Sequence, residues 1–172
     1  MKRPYFAYGS NLCVPRLRHR VLGVRPAGVA RLPGWELRWH KRGADGSGKC
    51  SIVPTPAKGV VHGGVFHVPH VERALLDGVE GLGRGYAERI LRIDIEGKTA
   101  EAWTYVAQDG WIDPGLRPFG WYRELVLAGA HDLGLPPAYL RDIASVSARR
   151  DPDRARAARN LRFLDARRRP RG

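Results

Sequence analysis

The sequence predicts an α+β fold: a mostly antiparallel, closed or nearly closed β-barrel-like sheet with a few inserted helices. Two observations lead there. Short runs of β-branched and aromatic residues recur, parted by Pro/Gly turns too brief for crossover helices, so neighbouring strands pair antiparallel. Between them, a few segments change to a helical apolar spacing. Strands dominate, and a sheet of that kind closes on itself. With 172 residues, 43% of them apolar, the chain suits one domain with its own core.

The elements follow in order. Tyr5-Phe6-Ala7-Tyr8 reads as a first strand that runs into Gly9-Ser10-Asn11, residues at ease in a tight turn. Gly9 allows close backbone approach and positive φ. Successive N–H groups in such a turn converge on a concavity suited to an oxyanion or carboxylate, although an ordinary strand end has the same composition. Residues 14–20 suit a short helix with Pro15 in its first turn. Strands over 24–31 and 35–41 flank Pro33-Gly34. A polar, Gly-rich loop over 42–49 precedes strands at 50–53 and 59–68, parted by Pro54 and Pro56. Val71, Leu75 and Val79, with Leu76 beside them, predict a helix after Pro69 that Gly81 stops. Strands over 86–95 and 100–106 turn at Glu96-Gly97-Lys98. Residues 121–133 are helical, and Pro136-Pro137 opens a last helix that ends near Val146. Beyond it only Leu161, Phe163 and Leu164 offer apolar positions. Residues 147–172 therefore read as an Arg-rich flexible tail behind a domain of residues 1–146.

The net charge is +13, and residues 147–172 carry +7 of it, from ten Arg and three Asp. Basicity is concentrated in the tail, which is expected to bind polyanions weakly and without specificity. No compact basic-aromatic motif of an RNA-binding type appears. A non-catalytic or nucleic-acid-binding module remains the alternative to an enzyme. No apolar run approaches the ~18 residues of a membrane span, and no signal-peptide h-region follows the N-terminus. A cytoplasmic protein is expected, with no membrane partner and with a homodimer left open.

Some motifs are decoys. Gly43-Ala44-Asp45-Gly46-Ser47-Gly48-Lys49-Cys50 nearly matches a phosphate-binding loop, but Cys replaces the hydroxyl residue and a β-branched run follows where a helix is required. It reads as a hairpin loop. His62 and His67 are an odd number of residues apart, so on one strand they face opposite ways and are poorly placed to share a metal with His70. Cys13 and Cys50 read as small buried residues, with Cys13 the better candidate for a reactive thiol because it follows the turn. Glu80 stands out. It ends the predicted helix, where a carboxylate opposes the helix dipole and the neutral form is favoured. A carboxyl so tuned suits general acid–base work, whereas a solvated helix-end Glu is the plainer reading.

Tyr8-Gly9-Ser10-Asn11-Leu12 near the N-terminus, with Asp77-x-x-Glu80-Gly81 near mid-chain, resembles the γ-glutamylcyclotransferase (AIG2-like) family. Val29-Ala30-Arg31-Leu32, Gly63-Gly64-Val65-Phe66, Pro118-x-x-x-Tyr122 and Gly134-Leu135-Pro136 follow the family's order, from Tyr5 to about Val146. The resemblance implies Glu80 as catalytic acid/base. It implies Tyr5, Phe6, Ala7, Tyr8, Gly9, Ser10 and Asn11 as the substrate-binding strand and turn, with Tyr122 and, less directly, Tyr86 as substrate contacts. It further implies a cofactor-independent reaction on a small γ-glutamyl substrate, releasing 5-oxoproline and an amine. Substrates range from γ-glutamyl amino acids, as in glutathione metabolism, to γ-glutamylamines and γ-glutamyl-protected metabolites. The Arg-rich tail has no counterpart in this pattern.

Overall fold

In the computed structural model, residues 3–56 and 58–167 are described. The strands are β1 (Tyr5–Ala7), β2 (Arg25–Pro33), β3 (Trp35–Arg42), β4 (Gly48–Pro54), β5 (Val60–His67), β6 (Tyr86–Ile95) and β7 (Lys98–Ala107). The helices are α1 (Val14–Arg20), α2 (Arg73–Glu80), α3 (Gly120–Asp132), α4 (Pro137–Ser145) and α5 (Arg154–Arg167). Most predicted elements appear within a few residues of their expected ends.

The sheet is a closed barrel in the order β1-β5-β2-β6-β7, with β3-β4 a separate hairpin. β1 runs antiparallel to β5, from Tyr5 opposite Phe66 to Ala7 opposite Gly64. Its parallel bridge to β7, Tyr5 opposite Trp103, closes the ring. The Trp103 N–H also donates to the Pro4 carbonyl at 3.0 Å. The β3-β4 hairpin is tied to the barrel where the Ala107 N–H donates to Ser51 Oγ at 2.9 Å. Phe6, Leu32, Phe66, Leu76 and Ile93 are fully buried in the core. No helix among the described residues is long and apolar enough to cross a membrane.

The look-alike of a phosphate loop is the tip of the β3-β4 hairpin. The Gly43 N–H donates to the Ser47 carbonyl at 2.9 Å, and Lys49 Nζ donates to Asp45 Oδ2 at 2.7 Å. Cys50 then continues as strand.

The structure departs from expectation at α2. Its apolar repeat marks the exposed face: Val71, Leu75 and Val79 face solvent, and Leu76 alone is fully buried. Val71 itself lies in a 3-10 turn, His70–Glu72, ahead of the α-helix.

The larger correction concerns the C-terminus. Residues 147–167 are not a flexible tail but an ordered segment ending in α5, which packs against α1 and α3. Asp151 anchors it. That carboxylate accepts from Trp121 Nε1 at 2.8 Å and from Arg156 Nε at 2.7 Å. Asn160 Oδ1 accepts from Arg16 Nη1 at 2.5 Å, and the Phe163 ring lies 5.3 Å from that of His19. The segment is polar because its anchors are ion pairs and ring contacts rather than a broad apolar stripe. Residues 168–172 of the expected tail lie outside the described ones.

Candidate active site

β1 stops at Ala7 and the chain turns. Gly9 precedes a 3-10 turn, Ser10–Leu12, in which the Leu12 N–H donates to the Gly9 carbonyl at 3.0 Å. The N–H groups of Ser10 and Asn11 stand at the open end of this turn. Gly9 does not take positive φ; its φ is −110°. Glycine is needed there for close approach. A Cβ would lie 3.1 Å from Cys50 Cβ and 3.2 Å from the Tyr122 hydroxyl.

The turn forms one wall of a chamber also lined by Tyr5, Tyr8, Glu80, Tyr105 and Tyr122. Of the sequence-predicted residues, Tyr5, Tyr8, Gly9, Ser10, Asn11, Glu80 and Tyr122 come together here. Phe6 and Ala7 do not line it. Phe6 is buried in the core, and its carbonyl accepts from Thr104 Oγ1 at 2.7 Å. Tyr86 does line the chamber. At about 30 Å³ the chamber holds one water-sized group. It opens through Ser10, Glu80, Tyr86 and Tyr122 into a vestibule of about 390 Å³. A larger groove of about 600 Å³, lined by Trp39, His40 and Tyr139, includes none of the sequence-predicted site residues.

Glu80 is the last residue of α2, and Gly81 follows at φ +74°. Its Oε1 accepts from Asn11 Nδ2 at 2.9 Å and from Arg20 Nη1 at 2.5 Å. Asn11 Nδ2 also donates to the Tyr5 hydroxyl at 2.9 Å, and Arg20 Nη1 to Asn11 Oδ1 at 2.6 Å. Both bonds to the carboxylate fall on Oε1. Among the described residues none donates to Oε2. Arg20, the last residue of α1, supplies the cation that meets the dipole mismatch at the end of α2. Sequence reasoning missed it, because Arg16, Arg18 and Arg20 look alike as charges scattered along a short helix.

The tyrosines are structural partners as much as lining. Tyr122 Oη accepts from the Cys50 N–H at 3.1 Å, and the Tyr86 hydroxyl donates to the Cys50 carbonyl at 2.6 Å. The two hydroxyls thus clamp one residue of β4 from both sides of its Cα. The Tyr105 hydroxyl donates to Asp77 Oδ1 at 2.5 Å, which gives the aspartate of the Asp77-x-x-Glu80 pattern a bonding partner. Burial pushes the phenols of Tyr5, Tyr8, Tyr86, Tyr105 and Tyr122 above their ordinary range, so they stay neutral. Cys50, not Cys13, reaches the chamber. Burial pushes its thiol up to about 12, against the pull of the Tyr122 hydrogen bond and of Lys49, so it makes a poor nucleophile.

A family model, "Gamma-glutamyl cyclotransferase, AIG2-like", matches residues 5–123. The chain belongs to this family. Solved structures share the fold. A "Gamma-glutamyl cyclotransferase" superposes with a TM-score of 0.79 at 24% identity, over 86% of this chain and 89% of its own. An uncharacterized protein from Homo sapiens gives 0.78 at 25% identity, over the same shares of 86% and 89%. A yeast γ-glutamyl cyclotransferase specific to glutathione gives 0.52 at 13% identity, over 95% and 96%. A search of curated proteins gives no match. The α+β barrel and family membership thus follow the sequence reading; the activity implied is coarser than any one substrate.

Proposed function

We propose that this chain cyclises a γ-glutamyl compound, releasing 5-oxoproline and an amine. The observation that carries the reading is the Glu80 carboxylate at the junction of chamber and vestibule, fixed through Oε1 with Oε2 unclaimed. The substrate's α-amine attacks its own γ-carbonyl carbon. A C–N bond forms, the carbonyl electrons move to oxygen, and a five-membered ring closes. Because nucleophile and electrophile share one molecule, folding that molecule into an attacking pose supplies much of the acceleration. Glu80 Oε2 takes the proton lost by the α-amine. When the tetrahedral intermediate collapses, the bond to the leaving nitrogen breaks and Glu80 returns the proton to it. The N–H groups of Ser10 and Asn11 are the donors offered to the oxyanion. The neutral Tyr5, Tyr86 and Tyr122 shape the space and offer hydrogen bonds without competing for the proton. Phe6 and Ala7 act by holding β1 in place.

The test is Glu80→Gln. Gln keeps the size and cannot accept the proton, so 5-oxoproline release is expected to fall at least ~10²-fold with circular dichroism and Tm preserved. A folded variant that keeps more than about a tenth of wild-type turnover would remove Glu80 from the mechanism.

A further inference from the structure

The vestibule is cationic beyond what the cyclisation requires. Arg16, Arg20, Lys41, Lys49 and Arg84 line it, and Glu80 is the one acid in its lining. Arg20 is engaged by Glu80, and Lys49 by Asp45. Arg16 donates to a neutral amide, that of Asn160. The side chains of Lys41 and Arg84 have no hydrogen-bonding or ionic partner among the described residues. Arg84 stands exposed in the turn between α2 and β6, on the lining of the vestibule.

Lys41 is the unusual member. It is only 7% exposed, and among the described residues its ammonium has no acceptor, although Nζ is not sealed from the vestibule it lines. A register shift in β3 between Arg38 and Lys41 marks a bulge, a device that re-aims a side chain. Nζ lies 4.5 Å from the centroid of the Tyr86 ring and 5.3 Å from that of Trp111. Gly85, at φ +128°, leaves the remaining space. A Cβ there would come within 2.8 Å of Lys41 Cε and 2.9 Å of Nζ. Two aromatic faces and a glycine thus cradle one ammonium. Burial pulls its pKa below the ordinary lysine range, and the charges of Glu80 and Asp45 offset this in part. An ammonium held between two rings has given up part of its water, and an incoming anion from the vestibule would replace what it lost.

We propose that Lys41 and Arg84 form a subsite for a dianionic group on the amine half of the substrate, either a phosphate monoester or a pair of carboxylates. The inference rests on the cyclotransferase reading. Glu80 lines both spaces, so an amine that leaves beside Glu80 passes into the vestibule. Two unmatched cations call for two negative charges. A neutral or cationic amine would leave both uncompensated.

The experiment compares 5-oxoproline release from γ-glutamyl-phosphoethanolamine, γ-glutamyl-aspartate, γ-glutamyl-alanine and γ-glutamyl-ethylamine. At least one dianionic compound is expected to exceed γ-glutamyl-ethylamine about tenfold in kcat/KM, mainly through KM, which is the size of one charge-assisted hydrogen bond. The phosphate and dicarboxylate compounds separate the two sources of charge. Lys41→Met and Arg84→Gln should each bring the ratio of dianionic to neutral substrate toward one. Arg84→Gln, at an exposed turn, carries the test if Lys41→Met does not fold. A flat response across the panel, or a ratio untouched by Arg84→Gln, overturns the subsite. Calorimetry with phosphoethanolamine, aspartate and ethylamine alone needs no turnover. If no compound is cyclised but the dianions still bind more tightly and lose that advantage in the variants, the cyclotransferase reading fails and the anion subsite stands. Equal affinities overturn the subsite even where turnover is present.

Discussion

The chamber and the vestibule share the wall formed by Ser10, Glu80, Tyr86 and Tyr122, yet they are built from opposite chemistry. The chamber is walled by buried phenols that stay neutral, and it has room for little more than one small group. The vestibule is wide, half-open and rimmed with guanidinium and ammonium groups. On the proposed cyclotransferase reading the difference separates two tasks. Neutral, tightly bonded walls would fix geometry around the proton transfer without competing for the proton. Charges with no partner would select by sign what lies beyond the scissile bond. A substitution in one region should therefore change rate, and one in the other should change preference.

The largest effect that would break this division is expected at Gly9. A Gly9→Val side chain meets Cys50 Cβ and the Tyr122 hydroxyl at little more than 3 Å and displaces the turn that offers N–H donors. Losing one such donor costs roughly 10²–10³ in kcat, on every substrate alike. Normal kcat from a destabilised but folded Gly9→Val protein would defeat the oxyanion assignment. Asn11→Ala comes next. It strips Glu80 Oε1 and the Tyr5 hydroxyl of one shared donor and leaves Arg20 in place. A loss of about tenfold in kcat is expected for a hydrogen bond to a charged group, with KM little changed. An unchanged kcat in the folded variant would mean that Asn11 does not position the carboxylate. Gly85→Ala probes the other region. Forcing a Cβ against Lys41 at positive φ should lower the dianionic-to-neutral ratio by roughly threefold and stability by about 1–2 kcal/mol. A variant equally slowed on all substrates would join the two regions into one.

The smallest expected effect lies outside both. Asp151 is held below the usual carboxylate range first by its bonds to Arg156, with Trp121 and the Asp153 N–H adding to this. A depressed carboxyl contributes stability above its unfolded value, and that contribution is lost as pH falls toward the folded one. Asp151→Asn should therefore lower Tm by about 5 °C near neutral pH, with the gap to wild type closing below about pH 4. A constant gap across that range would assign the effect to shape rather than charge. Trp121 adjoins Tyr122, so the segment that composition suggests is a flexible tail braces the helix that carries a chamber wall.

The β1 turn and Glu80 were legible because strand, turn and helix end are local signals, written in consecutive residues. Phe6 and Ala7 stand outside the chamber for a local reason too. Strand alternation places Phe6 and Tyr8 on one face, but the chain leaves the strand after Ala7 and re-aims Tyr8 alone. Arg20 and Lys41 were illegible for a different reason. Nothing near Arg20 in sequence distinguishes it from Arg16 or Arg18 until α1 and α2 meet. Lys41 becomes buried only when Gly85 and Trp111, far along the chain, close around it. For α2 the periodicity was real but named the wrong face, because one leucine, Leu76, suffices to seat so short a helix. For α5, composition suggested disorder because ion pairs and ring contacts, unlike apolar stripes, leave no period.

The closure of the barrel through β1 bears on how the protein is made. Residues 5–7 are made well before their partners, which lie at 64–66 and at Trp103, some sixty to a hundred residues further along the chain. Pairings so distant in sequence form slowly. Until β7 emerges, β1 has one edge without a neighbour, and Tyr105 and its bond to Asp77 do not yet exist. The pocket therefore cannot precede the sheet. A nascent or truncated chain lacking β7 would carry Glu80 and the turn of Gly9 without the wall that encloses them, so the site cannot form until β7 has been made and paired.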